Sequence, residues 1–171
     1  MKKLFIIFSL TFVCACQNAN AVSAIRPYKN QNLSHKAYYY YGLSETKDRQ
    51  LIKELTGVDP TRTEWCAAFV NMVLLENGYP TSASVSGFPL MARSFLEYGE
   101  KTTKPAQGDI VIFERGNSGW KGHVGFFISV KDINGVQMIS VLGGNQDDAV
   151  NIKYYPASKV LGFRKVPKPE S

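Results

Sequence analysis

The chain has 171 residues, of which 44% are hydrophobic and 20% are charged, and its formal net charge is +6. This length fits a single domain. The hydrophobic content is high enough for a buried core, which excludes a disordered tail and a small disulfide-stapled protein. Lysine and arginine are scattered without basic blocks, so we expect no nucleic-acid partner.

The N-terminus is predicted to be a targeting segment. Lys2-Lys3 precedes the apolar run Leu4–Val13, which is too short to span a bilayer. Cleavage after the A-x-A site Ala19–Ala21 would make residues 1–21 a signal peptide. Alternatively, Val13–Cys16 is a lipobox, with a leader of residues 1–15 and a lipidated Cys16 that attaches the protein to a membrane. Both alternatives predict export to the periplasm, to the cell envelope or out of the cell.

Helices are predicted in the first half of the exported chain. The clearest one has apolar residues at i, i+3, i+4 and i+7 spacing from Trp65 to Val73, which gives one mostly apolar face. Glycines follow three of the segments, as is typical of helix ends. The predicted helices are His35–Leu43, Lys47–Thr56, Glu64–Asn77 and Pro89–Tyr98.

Strands are predicted in the second half, where short segments are rich in β-branched and aromatic residues. Asn134-Gly135 is a strong hairpin signal between two of them. Helices followed by an antiparallel meander predict an α+β domain. The predicted strands are Asp109–Glu114, His123–Val130, Val136–Leu142, Ala149–Tyr154 and Val160–Arg164.

The domain boundaries follow from these elements. Residues 22–34 are predicted to be a flexible arm, residues 35–166 the folded domain and residues 167–171 a tail. We expect a monomer. No metal-ligand cluster and no phosphate-binding glycine loop is present in the sequence, so we expect no metal and no cofactor.

Cys66 is the candidate nucleophile. The other two cysteines lie in the leader or at the lipidated terminus, so export leaves Cys66 as the single internal thiol of the domain. It lies in the first turn of the clearest helix, where unsatisfied backbone N–H groups and the helix dipole favour a thiolate. The same N–H groups, that of Cys66 among them, can hold an oxyanion. The alternative is an inert core cysteine.

His123 is the candidate general base. It opens a predicted strand between Gly122 and Val124, and the other histidine of the domain, His35, lies in a polar stretch that we expect at the surface. A histidine at the start of a strand is often structural. Here it is the plausible base for Cys66, by elimination.

A cysteine and histidine pair needs a third group that fixes the imidazole tautomer. A two-residue loop at Asn134-Gly135 makes paired residue numbers sum to 269, which places His123 opposite Gln146. A three-residue loop makes the sum 268, which places His123 opposite Asn145. The pattern leaves both residues open, and one slip of register decides between them.

Four motifs in this order resemble the CHAP and NlpC-type peptidoglycan hydrolases: WCAAFVN (65–71), PAQGDIVIF (105–113), GHVGFF (122–127) and VLGGNQDDAVNI (141–152). The resemblance covers residues 38–164. It implies a papain-like cysteine peptidase fold, with Cys66 as nucleophile and His123 as general base. It also makes Asn145 the first choice for the residue that orients His123, with Gln146 as runner-up. Members often carry an acid two residues before that asparagine, whereas this chain has Gly143.

The resemblance makes an exported hydrolase of a peptidoglycan amide the leading hypothesis, either an N-acetylmuramoyl-L-alanine amidase or a stem-peptide endopeptidase. Trp120 and Trp65 are the candidate substrate-binding residues, although Trp65 also fits the core. Glu64 and Glu45 are expected to have structural roles near the helix start. Two alternatives remain: a papain-like transferase, deamidase or toxin that acts on a protein, and a non-catalytic wall-binding module.

Overall fold

The computed structural model describes residues 32–167. The predicted leader with its two cleavage alternatives, most of the predicted arm 22–34 and nearly all of the tail 167–171 lie outside this range. The described residues form an α+β domain, as predicted, with helices followed by an antiparallel sheet. Among them no helix has the length and apolar character needed to cross a bilayer.

Three α-helices precede the sheet: α1 (Leu33–Tyr38), α2 (Arg49–Thr56) and α3 (Cys66–Glu76). Helix α1 begins after Asn32, whose side chain accepts a hydrogen bond from the backbone of His35. Since Leu33 and Ser34 are buried, the folded part starts before the predicted boundary between residues 34 and 35. The first predicted helix is also too long, because the chain turns after Tyr38.

Helix α3 is buried on most of its surface, not on one face as predicted. Its buried residues are Cys66, Ala67, Ala68, Phe69, Val70, Met72, Val73 and Leu74. A helix that is apolar nearly all round is the central helix of a core. The predicted helix at 89–98 is shorter and tighter than expected, a 3-10 helix at Ala92–Glu97. Two further 3-10 helices lie at Ser82–Ser84 and Ala157–Lys159.

The sheet has six strands: β1 (Glu100–Thr102), β2 (Ile110–Glu114), β3 (Gly122–Ile133), β4 (Val136–Gln146), β5 (Ala149–Pro156) and β6 (Val160–Lys165). All five predicted strands are present, and β1 was not predicted. The spatial order is β1-β6-β2-β3-β4-β5, and every neighbouring pair is antiparallel. Only β2 to β5 therefore form a meander in chain order, and β6 returns to the free side of β2.

The two faces of the sheet contribute to different apolar clusters. One face packs against the helices through Ile110, Ile112, Val124, Phe126, Leu142 and Val150. The other face carries a smaller cluster of Val111, Phe113, Phe127, Ile139 and Val141. Alternation along the strands therefore fixes which side chains meet α3 and which face away from it.

Candidate active site

Cys66 is the first residue of α3, and it is buried with a free thiol. The residue before it, Trp65, provides no side-chain hydrogen bond to the helix, so no side chain caps the first N–H groups. The backbone N–H groups of Ala67 and Val124 lie near enough to the Cys66 sulfur to lower the pKa of the thiol. Because Val124 directly follows His123, the thiol lies beside the start of β3.

Trp65 fixes the position at which α3 begins. Its indole Nε1 donates to Glu45 Oε1 over 2.6 Å, and its ring meets that of Phe69 edge to face. A Cβ at Gly144 would lie 2.5 Å from the Trp65 ring, so only glycine lets β4 approach so closely. Since Trp65 is fully buried, the prediction that it binds substrate is wrong, and its place in the core is confirmed.

His123 lies in a network that fixes its tautomer. Its Nε2 lies 3.0 Å from Gln146 Oε1. The other end of the same carboxamide, Gln146 Nε2, donates to the carbonyl oxygens of Val141 and Asn151 and to Asn151 Oδ1, at 3.3, 2.6 and 3.1 Å. These three acceptors require the NH₂ group on their side, so the carbonyl oxygen faces the imidazole. His123 therefore carries its proton on Nε2, and its Nδ1 is left as a base.

Tyr155 supports this pair from β5. Its hydroxyl donates to Gln146 Oε1 over 3.1 Å. Its ring lies against the imidazole of His123, with centroids 5.1 Å apart, and against Phe113 at 4.8 Å. Asn151, also on β5, donates from its side chain to the backbone carbonyl oxygen of Gln146 over 2.6 Å. The predicted site did not include either β5 residue.

A sequence signal for the β5 residues exists in the turn before that strand. Asp147 and Asp148 both have positive φ, and aspartate tolerates this conformation better than most residues. An Asp-Asp pair between two apolar runs therefore predicts a two-residue hairpin. That hairpin aligns β5 with β4 and pairs Asn151 with Gly143, in the strand segment that carries the expected third residue.

Asn145 does not contact the imidazole, so the first choice for that contact is wrong and the runner-up, Gln146, is the residue in place. The Asn134-Gly135 loop has two residues, and the pairs next to it sum to 269. An extra residue in β3 near Phe127 lowers the sum to 268. The pairs between β3 and β4 end at Phe126 and Leu142, so neither Asn145 nor Gln146 is a strand partner of His123. An extra residue in β4 opposite β5, with Asn145 at φ 56°, leaves the Gln146 side chain and not that of Asn145 at the imidazole.

Burial dominates the pKa of both candidate reactive groups, Cys66 and His123. Burial raises the pKa of the Cys66 thiol, although the N–H groups of Val124 and Ala67 act in the opposite direction. This outcome is opposite to the predicted effect of the helix N-terminus. Burial also lowers the pKa of His123 to about 4, while the Gln146 hydrogen bond opposes the shift. At neutral pH the resting site therefore holds a neutral thiol and a neutral imidazole.

A cleft of about 600 Å³ opens onto Cys66, and Trp120 forms part of its wall. A smaller pocket of about 200 Å³ lies on the side of His123 and Gln146. Arg115 lines both pockets. Trp120 is thus positioned to contact a ligand beside the thiol, whereas Trp65 is not.

Glu64 lies at the edge of the cleft instead of capping α3. Its Oε2 accepts hydrogen bonds from Arg115 Nη1 over 2.5 Å and from Asn145 Nδ2 over 2.7 Å. Asn145 therefore donates a hydrogen bond to Glu64 at the cleft and does not orient the imidazole. Within residues 32–167, no three His, Cys, Asp or Glu side chains gather into a group that could bind a metal ion.

Comparison with known proteins gives one match. The family model described as CHAP domain matches residues 58–145, which include Cys66, His123 and Asn145. The match ends one residue before Gln146. Neither a curated protein nor a solved structure matches the chain.

The burial of His123 predicts a pH-dependent loss of stability. Its pKa of about 4 lies below the ordinary 6.5, so between these values the unfolded chain binds the proton more readily. The free energy of unfolding therefore falls as the pH is lowered from 6.5 to 4, by about 3 kcal/mol in full. Urea unfolding at pH 7.5 and pH 4.5 should show that the wild type loses about 2 to 3 kcal/mol more than His123→Gln. Equal losses would contradict the neutral buried imidazole, and His35→Gln, which removes an exposed histidine, is the matched control.

Proposed function

This chain belongs to the CHAP domain family, and on that premise we propose that it is an exported cysteine hydrolase that cleaves an amide bond of peptidoglycan. Members of the family are generally hydrolytic enzymes that act on peptidoglycan, so hydrolysis and the cell-wall substrate follow from membership. The proposal adds export, the residues that react and the order in which they act. The basic and apolar start of the chain, Lys2-Lys3 and Leu4–Val13, supports export.

The observation that carries the mechanism is the contact between His123 Nε2 and Gln146 Oε1, which orients the imidazole. In the proposed first step, His123 Nδ1 takes the thiol proton as the Cys66 sulfur bonds to the carbonyl carbon of the amide. Proton transfer at the moment of attack suits a resting pair of neutral thiol and neutral imidazole. Gln146 Oε1 stabilises the imidazolium that forms, because it accepts the hydrogen bond from the Nε2–H group of His123.

The remaining steps use the same groups. The tetrahedral intermediate carries its negative charge on the former carbonyl oxygen, and the backbone N–H of Cys66 donates to it. The imidazolium then protonates the leaving amine from Nδ1, and the carbon–nitrogen bond breaks. Water attacks the thioester with His123 again as the base, which releases the carboxylic acid and restores the thiol.

Digestion of purified sacculi tests the function. We expect wild-type protein to release fragments with new amine termini and Cys66→Ala to release none, because the nucleophile is gone. Mass analysis of the fragments identifies the bond, either N-acetylmuramoyl-L-alanine or one within the stem peptide. Fragments from Cys66→Ala at the wild-type rate, or intact sacculi after wild-type treatment, would contradict the proposal. Intact sacculi together with a modified protein glutamine would instead favour a transferase or deamidase.

The matched pair Gln146→Ala and Asn145→Ala tests which residue orients the base. Loss of a hydrogen bond to a group that becomes charged costs about 1.5 to 3 kcal/mol, so we expect Gln146→Ala to lower kcat about 10- to 150-fold. Asn145→Ala should stay within about threefold of the wild type by the same reasoning, since it loses no contact with His123. Tyr155→Phe, which keeps the ring and loses one hydrogen bond, should fall between the two. A larger loss for Asn145→Ala than for Gln146→Ala would overturn the assignment.

A further inference from the structure

The lining of the cleft beside Cys66 has both apolar and charged side chains. Leu90, Met91, Ala92 and Trp120 are apolar, and Glu64, Arg115 and Lys121 are charged. Two cations and one anion therefore line the space that opens onto the thiol. A ligand group in this cleft meets both a surface that favours hydrocarbon and a local excess of positive charge.

The loop that carries the two cations is held in place. It runs between β2 and β3, and Arg93 donates from Nε to the carbonyl oxygen of Lys121 over 2.8 Å and from Nη2 to that of Ser118 over 3.0 Å. Glu114, at the end of β2, pairs with Lys159 over 2.8 Å. Anchors at both ends of the loop keep Arg115 and Lys121 beside the cleft.

The guanidinium group of Arg115 has hydrogen-bond donors that are available to a ligand. Within residues 32–167, Nη1 is the only guanidinium nitrogen of Arg115 that donates to another protein group, namely Glu64. Its Nε and Nη2 form the edge of the fork that suits a carboxylate. About half of the Arg115 side chain is exposed to solvent. Lys121 has no acidic partner in the described part of the chain, and its ammonium lies 5.4 Å from the centroid of the Trp120 ring.

Glu64 supplies the carboxylate that pairs with Arg115, and the carboxylate of a ligand can take its place. Its side chain is 70% exposed, and an exposed ion pair of this kind adds little stability. It also accepts from Asn145, so it keeps a hydrogen bond if Arg115 turns towards a ligand. The pair of Glu64 and Arg115 lies where the pocket at Cys66 meets the pocket at His123, because Arg115 lines both pockets.

We propose that the cleft binds a free carboxylate of the substrate close to the scissile amide, and that Arg115 recognises this carboxylate by exchanging Glu64 for it. Lys121 contributes longer-range attraction. Arg115 is thus a specificity-determining residue for peptides that carry a carboxylate over the same peptides with a carboxamide. This inference rests on the proposed function only in taking Cys66 as the reactive group of the cleft.

Two small alkylating reagents test the site without any hydrolysis. Iodoacetate and iodoacetamide both attach to the Cys66 sulfur with loss of iodide, but only iodoacetate carries a carboxylate. Because both react with the thiolate, the ratio of their rates cancels any change in the pKa of Cys66. The rates at Cys66 are read by peptide mass spectrometry of the full chain, and the ratio is compared with that of free cysteine.

We expect the iodoacetate to iodoacetamide ratio at Cys66 to exceed that of free cysteine about 5- to 10-fold at low salt. Arg115→Gln should bring the ratio close to that of free cysteine, with only the weaker attraction of Lys121 left. Glu64→Gln should raise the ratio above that of the wild type because the guanidinium is released. Arg62→Gln removes an exposed arginine away from the cleft and should keep the wild-type ratio. Salt should reduce the wild-type preference, since part of it is screened attraction.

An unchanged ratio in Arg115→Gln, or a ratio equal to that of free cysteine in the wild type, would overturn the inference. So would a Cys66 that neither reagent alkylates, because the cleft would then not admit a group to the thiol. If sacculi are digested while the ratio is unaffected by Arg115→Gln, this inference fails and the proposed function stands. If Arg115→Gln abolishes the preference but sacculi stay intact, the carboxylate site stands and the substrate is another carboxylate-bearing peptide.

Discussion

The hydrogen bond between His123 Nε2 and Gln146 Oε1 is the contact on which the candidate site depends. It lies in a buried place, where a carboxamide turned the other way would present its NH₂ group to Nε2 and move the imidazole proton to Nδ1. The three acceptors around Gln146 Nε2 exclude that orientation. The tautomer of His123, and with it the proposed use of Nδ1 as the base, follow from this one orientation.

The same contact explains how this chain departs from its family. A Cβ at Gly143 would lie 3.4 Å from His123 Nε2 and 3.4 Å from Gln146 Oε1. The position where members often carry an acid therefore faces the imidazole. With no side chain at Gly143, the Gln146 carboxamide fills that space and supplies a neutral acceptor in place of a carboxylate. A neutral acceptor stabilises the imidazolium less, which agrees with a pKa of His123 that burial lowers to about 4.

The sequence predicts the elements of this fold well, because periodicity and glycine positions are local signals. The five long strands and the end of α2 at Gly57 are where the patterns place them. Predictions that depend on packing were less accurate. Whether α3 is buried on one side or on nearly all sides depends on what covers it. The return of β6 to the free edge of β2 leaves no trace in the pattern of either strand.

Gln146, the third residue of the site, shows the same limit of sequence-based prediction, because its position depends on how β3 and β4 are aligned. Counting from the Asn134-Gly135 turn gives Gln146 only if the ladder is regular, but β3 has an extra residue near Phe127 and its pairs with β4 end at Leu142. A second extra residue, in β4 opposite β5, precedes the Gln146 side chain that reaches the imidazole. Bulges depend on close approaches, such as that of Gly144 to Trp65, which sequence spacing does not reveal.

The most direct test of this account is ¹⁵N NMR of the His123 imidazole at pH 7, assigned against His35→Gln. The account predicts a neutral ring protonated at Nε2 in the wild type and in Asn145→Ala, and a mixture of both tautomers in Gln146→Ala. An imidazolium or an Nδ1-protonated ring in the wild type, or a pure Nε2 tautomer that survives Gln146→Ala, would contradict it.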